Sequence, residues 1–218
     1  MRRVIIRFQY PDLPEMYIEE VKLIGNFNRE EIDLVNDNGN WKVELELGEG
    51  TYCYRFLINN CVYLNDPLAD EYVIIDEEVW SRFKVTLEKK EMNSRGIATY
   101  LNHTISNRLG SSLQSVPMQK EFYKPLDKRV VLGIEIDPII GIHEVVTIWY
   151  RPDGLIHHIC YETLEVTNDK EAKAALTWSV LRLDENNREY ITGMWTVMVT
   201  VDGELVAQDR FYLRDSSI

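Results

Sequence analysis

The sequence predicts an all-β protein made of two immunoglobulin-like antiparallel β-sandwiches joined by a linker. Three features point there. Apolar and polar residues alternate with period two in both halves, as in strands with one buried and one wet face. Turn-forming pairs punctuate that pattern at short intervals, and no long helical crossover of the kind a parallel sheet needs comes between. The expected layout is a first sandwich over residues 1–90, a linker over 91–117 and a second sandwich over 118–218.

In chain order, a strand ends at Ile24 and turns at Gly25, with Phe27 anchoring the turn in the core and Asn26 and Asn28 suiting its polar positions. Asn38-Gly39 turns into a strand in which Trp41, Val43, Leu45 and Leu47 alternate with Lys42, Glu44 and Glu46. Gly48 and Gly50 interrupt it. Tyr54, Phe56 and Ile58 then alternate with Arg55 and Leu57, Asn59-Asn60 makes a hairpin turn, and Asp66-Pro67 closes the next strand. Phe83, Val85 and Leu87 alternate with Lys84 and Thr86 to end the first sandwich.

Between the sandwiches the composition shifts to Asn, Ser, Thr, Arg and Gly. Leu101, Ile105, Leu109 and Leu113 recur every fourth position, but the weak helix formers between them favour a linker packed along a sandwich over a stable helix. Beyond it, Val130, Leu132, Ile134 and Ile136 share one strand face. Pro152-Asp153-Gly154 turns, and Trp195, Val197, Val199 and Val201 face away from Thr196, Met198 and Thr200 before a hairpin at Asp202-Gly203. This half lacks the Cys, Trp and Cys spacing of antibody domains, so its immunoglobulin likeness is architectural only.

The stretch Val21 to Tyr72 carries more than fold grammar. It contains Gly25-Asn26-Phe27-Asn28, Asn38-Gly39-Asn40-Trp41, Tyr52-Cys53-Tyr54-Arg55-Phe56 and Asn65-Asp66-Pro67. In order and spacing, residues 18–90 resemble the early-set β-sandwich modules that bind starch and glycogen in branching and debranching enzymes and in the β subunit of the AMP-activated kinase. The resemblance implies a non-catalytic α-glucan-binding module, whose sugar stacks on exposed aromatic rings and bonds to polar side chains. In that family a tryptophan follows the Gly-x-Phe-Asn turn; here the position is Glu30. The family's basic residue corresponds to Arg55, on the outward strand face, and its second aromatic platform to Tyr63. Trp80 is a candidate for the missing aromatic surface. The carbohydrate-binding candidates are therefore Arg55, Tyr63 and Trp80. The competing reading of the same residues is a solvated face with Arg55 over the Tyr63 ring, and Trp80 as core or rim packing.

Composition narrows the partners. Hydrophobic residues at 45% and charged residues at 28% suit a folded globular chain. A net charge of −12 disfavours nucleic acid and anionic membranes. Cys53, Cys61 and Cys160 have no metal spacing and are expected as free thiols in a cytoplasmic protein, consistent with the lack of a signal-like N-terminus or an apolar span.

Glycine-rich phosphate loops, nucleophile elbows and CxxC pairs do not occur, and no cofactor is expected. His143-Glu144-Val145-Val146-Thr147 misses the zinc-protease motif by its second histidine. His157 and His158 would point to opposite faces of a strand and so could not share an ion. The expected function is non-catalytic α-glucan binding; the alternative is a protein-interaction or scaffolding protein whose sandwich has lost its sugar site. The candidate partners are an α-glucan, a protein or a second copy of the chain. A third reading, an enzyme with a site at the domain junction, has no motif to recommend it.

Overall fold

Left-handed turn residues divide the chain into strands. Asn38 (φ 54°) and Gly39 (φ 85°) form one tight hairpin, with the Gly39 N–H donating to Asn36 Oδ1 at 2.9 Å. Asn59 (φ 50°) and Asn60 (φ 53°) form another, closed by the Cys61 N–H on the Ile58 carbonyl at 3.0 Å. Asparagine tolerates this region better than other residues that carry a Cβ. The computed structural model describes residues 1–9, 17–27, 31–86, 96–166, 171–184 and 190–216. Asn28, Glu30 and Leu87 lie outside the described residues.

The first half comprises β1 (Arg2–Gln9), β2 (Val21–Gly25), β3 (Glu31–Asp33), β4 (Val35–Asp37), β5 (Asn40–Leu47), β6 (Gly50–Ile58), β7 (Val62–Leu64), β8 (Glu71–Ile75) and β9 (Glu78–Val85). One sheet runs β1-β5-β4 and the other β3-β2-β6-β9-β8, with β7 also paired to β6. Phe8, Leu23, Trp41, Tyr54, Phe56, Ile58 and Leu64 fill the space between them. Alternation in β5 and β6 places their aromatics here, as expected.

The second half comprises β10 (Ile97–Ser106), β11 (Glu121–Lys124), β12 (Arg129–Tyr150), β13 (Ile156–Val166), β14 (Lys173–Arg182), β15 (Gly193–Val201) and β16 (Glu204–Asp215). The 22-residue β12 serves both layers. Its first part lies between β10 and β14, and its second between β13 and β15. The change of sheet falls at Asp137–Gly141, where the β14 register slips between Ile136 and Ile139 and Gly141 takes φ 101°. Trp149, Trp195, Phe122 and Phe211 pack edge-to-face and stacked at the centre of this core.

Two expectations need correction. Residues 97–106, expected within the linker, are the edge strand β10. Bulges at Ala98/Tyr100 and Tyr100/Asn102 break its alternation, which is why composition alone reads as a connection. The stretch from 107 to 117 does connect, and it packs on the second sandwich: Leu113 and Val116 are buried, and Leu113 and Trp178 cover Gly133 so closely that a Cβ there would meet both within 2.7 Å. The second correction concerns the supposed wet face of β15. Thr196, Met198 and Thr200 are all buried.

The reason is that the sandwiches pack on each other. Along β12, Val145 and Trp149 point into the second core, whereas Val146, Ile148 and Tyr150 join the first, together with Met198 of β15. Burying aliphatic side chains such as Val146, Ile148 and Met198 is worth about 1.5–3 kcal/mol each, so the contact contributes substantially to the stability of the whole. A smaller cluster of Ala69, Tyr72 and Val79 packs against Ile142 alongside it.

Candidate functional site at the junction of the sandwiches

Strand periodicity determines where Arg55 goes. Tyr54 and Phe56 face the first core, so Arg55 must point to the other side of β6. That side was expected to be solvated, but β12 and β13 cover it, and Arg55 is only 2% exposed. Its Nη2 donates to Glu144 Oε1 and Oε2 at 3.1 and 3.3 Å, and its Nη1 lies 3.3 Å from Glu78 Oε2. Three rings surround the guanidinium: Tyr63 at 5.2 Å, Tyr161 at 5.5 Å and Trp80 at 5.9 Å from its central carbon to each centroid. All lie within cation–π range.

The three sequence candidates thus do come together, as a cage around Arg55. Tyr63, on β7, keeps 37% of its surface exposed, and its N–H donates to the Tyr161 hydroxyl at 3.0 Å. Trp80, on β9, is half-buried. Among the described residues neither its indole N–H nor Arg55 Nε has a hydrogen-bond partner. The expected aromatic loss at Glu30 falls outside the described residues.

Glu144, at the head of the double-faced segment of β12, is the counter-ion. Its side chain is 3% exposed. Asn65 Nδ2 also donates to Glu144 Oε2, at 2.9 Å, and to the Val79 carbonyl at 3.1 Å. Burial pushes the Glu144 carboxyl up to about 7, against the opposing pull of Arg55 and Asn65; Asp202 and Glu78 add to the rise. An ion pair would ordinarily lower a carboxylate. Desolvation prevails here, and Arg55 divides its charge between two carboxylates.

Asn65-Asp66-Pro67 does more than end a strand. Tyr54 Oη donates to Asp66 Oδ2 at 2.6 Å, Ser81 Oγ donates to Asn65 Oδ1 at 2.9 Å, and the Asp66 N–H donates to Ser81 Oγ at 2.7 Å. Burial, reinforced by Asp66, holds the Tyr54 phenol well above its usual range. The Asp202-Gly203 turn seats on this motif: Gly203 has φ 84°, and a Cβ there would fall 1.8 Å from the Asn65 carbonyl oxygen. Asp202 accepts the Glu144 N–H at 3.0 Å, and its other oxygen lies 2.6 Å from His143 Nδ1. His143 Nε2 faces the Ile140 carbonyl at 2.8 Å. Both ring nitrogens therefore lie within hydrogen-bond distance of oxygens, which fixes the ring between the Asp202-Gly203 turn and β12. No cluster of three or more metal-ligating side chains occurs among the described residues.

No family model matches the chain, and no curated protein matches it. Solved structures give distant likenesses. A Pseudomonas fluorescens alkylpurine DNA glycosylase bound to DNA containing an abasic site analogue is 14% identical, with a TM-score of 0.33 over 54% of this chain and 30% of that one. An immunoglobulin-like protein from Pseudomonas aeruginosa is 18% identical, with a TM-score of 0.32 over 55% of this chain and 93% of that one. A maltogenic amylase from S. marinus is 13% identical, with a TM-score of 0.34 over 96% of this chain and 28% of that one. The chain thus spans under a third of the glycosylase and amylase chains. Likenesses at this level assign neither a function nor a site to the present molecule.

Glu144, Tyr161 and Asp202 are not among the carbohydrate-binding candidates: the sequence marks Glu144 only within a near-miss metal motif and Asp202 only as a turn residue. Their signal was the unbroken run Val145-Val146-Thr147-Ile148-Trp149-Tyr150, which reads as a strand buried on both faces. A charged residue at the head of such a run needs a partner within the fold. Chemically, the cluster fixes one guanidinium between carboxylates from both sandwiches.

Proposed function

We propose that this is a non-catalytic interaction protein, in which the sheet face resembling a glucan platform has become the joint between its two sandwiches. The observation that carries this reading is Arg55, buried and shared between Glu78 of the first sandwich and Glu144 of the second. A sugar hydroxyl would have to compete for a guanidinium that is already desolvated and paired. What a protein partner would find instead are strand edges. Among the described residues, β8 and β10 end their sheets, and they carry exposed Ile74 and Ile75, and Ile97 and Leu101, respectively. Edge strands bearing apolar side chains can accept an added strand from another chain.

One observation favours a second reading, α-glucan binding. Tyr63 and Tyr161 remain 37% and 42% exposed as residues beside the same guanidinium, which leaves surface for a glucose ring. Glycogen co-sedimentation separates the two. On the interaction reading the protein stays in the supernatant; if it pellets and Tyr63→Ala abolishes pelleting, the glucan reading replaces it. Light scattering and pull-down from native lysate complete the test, and a clean monomer that captures no partner would count against an interaction role.

A further inference from the structure

The chain carries 36 acidic and 24 basic side chains, yet one cleft of about 460 Å³ reverses the balance. It lies at one end of the second sandwich, and four cations line it, Arg108, Lys128, Arg129 and Arg182, against Asp127 and Asp184. We propose that this cleft binds a small phosphate monoester carrying an apolar group.

Three observations support the assignment. First, Arg129 of β12 and Arg182 of β14 are directly opposed cross-strand partners, so their side chains leave the sheet on the same face. Like charges in that position are destabilising unless an anion lies between them. Second, the lining cations are not consumed by the fold. Arg108, Lys128 and Arg182 are exposed and make no ion pair with any described residue, and Arg129 uses only Nε, donating to the Asn107 carbonyl at 3.2 Å. Third, one of the two carboxylates is already engaged: Asp127 accepts from Asn107 Nδ2 at 2.9 Å and from the Tyr123 N–H at 2.8 Å.

Arginine forks match phosphate and carboxylate oxygens in paired hydrogen bonds, and four lining cations against two carboxylates, one of them engaged, suit the greater charge of a phosphate monoester. The cleft's size lies within the range of small-molecule sites. Leu109, Leu126 and Val180 supply apolar wall beside the charges, which suits an ester better than the free ion. Nucleic acid fits poorly, because it needs an extended basic surface and the chain as a whole carries −12.

Titration calorimetry with inorganic phosphate and phenyl phosphate, at low and raised salt, tests the proposal on the full chain. Phenyl phosphate should bind saturably and more tightly than phosphate, and raise the Tm with the logarithm of its concentration above Kd. Arg108→Ala and Arg182→Ala should each weaken it about tenfold or more, as loss of a charged hydrogen bond does. Because both residues are exposed, the ligand-free variants should fold as the parent does, and Arg182→Ala, which relieves the repulsion with Arg129, should not lower the Tm. The proposal is overturned by no saturable binding of either probe at about 10 mM, a regime of only about 3 kcal/mol. Equal affinity in the arginine variants, or a ligand-free Arg182→Ala that is destabilised, would overturn it as well.

Discussion

Replacing Glu144 with glutamine should remove a defined pH dependence from the stability of the protein. The carboxyl is raised from 4.5 to about 7 in the folded state, with burial as the main cause. Between those values the folded protein binds more protons than the unfolded chain, so stability grows as the pH falls from about 8 to about 5 and is lost as the pH rises through 7. At about 1.4 kcal/mol per unit the full effect is about 3.4 kcal/mol, and about 2.5 kcal/mol of it falls between pH 8 and pH 5. Solvent screening does not reduce this much, because the side chain is 3% exposed. Urea unfolding of the parent and Glu144→Gln across that range is the assay, and the difference between them is the readout, since ionisable groups remote from position 144 are common to both proteins. A difference that does not vary with pH, or that grows in the opposite direction, would refute the account of Glu144 as a desolvated carboxyl.

Three further substitutions, with Gly39→Ala as a control for one of them, test the joint and its surroundings. Arg55→Met leaves Glu144 buried with Asn65 as its remaining donor; unfolding should show a loss of about 3–5 kcal/mol above pH 7, shrinking at pH 5 as the carboxyl takes up a proton. Gly203→Ala forces a Cβ against the Asn65 carbonyl at 1.8 Å and strains a φ of 84°, so thermal melts should show a loss of at least about 1–3 kcal/mol, whereas Gly39→Ala, with no atom within 4 Å, carries only the backbone strain. Leu113→Ala opens a cavity over Gly133 and should cost about 2–5 kcal/mol by urea unfolding, with hydrogen exchange speeding up first in residues 107–117.

Strands were legible wherever one face is buried and the other wet. Trp41, Val43 and Leu45, or Tyr54, Phe56 and Ile58, declare their inner faces by contrast with the residues between them. The contrast fails in two physical situations. In β15, threonines alternate with valines as on an ordinary half-buried strand, but Thr196 and Thr200 are buried because a second sandwich covers them; alternation says which residues face a core and nothing about what lies on the other side. In β10, bulges shift the inward set from Ala98 and Tyr100 to Ile105, so no fixed period exists to be found. Arg55 was misplaced for the first of these reasons. Its direction was deduced correctly and its environment was not.

The grouping of Arg55, Tyr63 and Trp80 was legible because all three lie on the same side of one sheet, where β6 pairs with β7 through the Asn59-Asn60 hairpin and also with β9. What completes the cluster includes Glu144, 89 positions from Arg55, and Tyr161, 98 positions from Tyr63, and local patterning cannot place those. Their effect is specific. The apolar contact of Val146, Ile148 and Met198 with the first core is favourable but undirected, and apolar faces alone could slide or rotate against each other. A buried guanidinium costs too much without partners, so only an orientation that brings Glu144 onto Arg55 and Gly203 onto Asn65 satisfies both surfaces. On this argument the apolar residues supply most of the adhesion between the sandwiches, and the ion pair selects their angle. A variant that replaces Arg55 and Glu144 together with apolar residues should therefore keep its stability more nearly than either single replacement, while losing the single fixed arrangement of the two sandwiches.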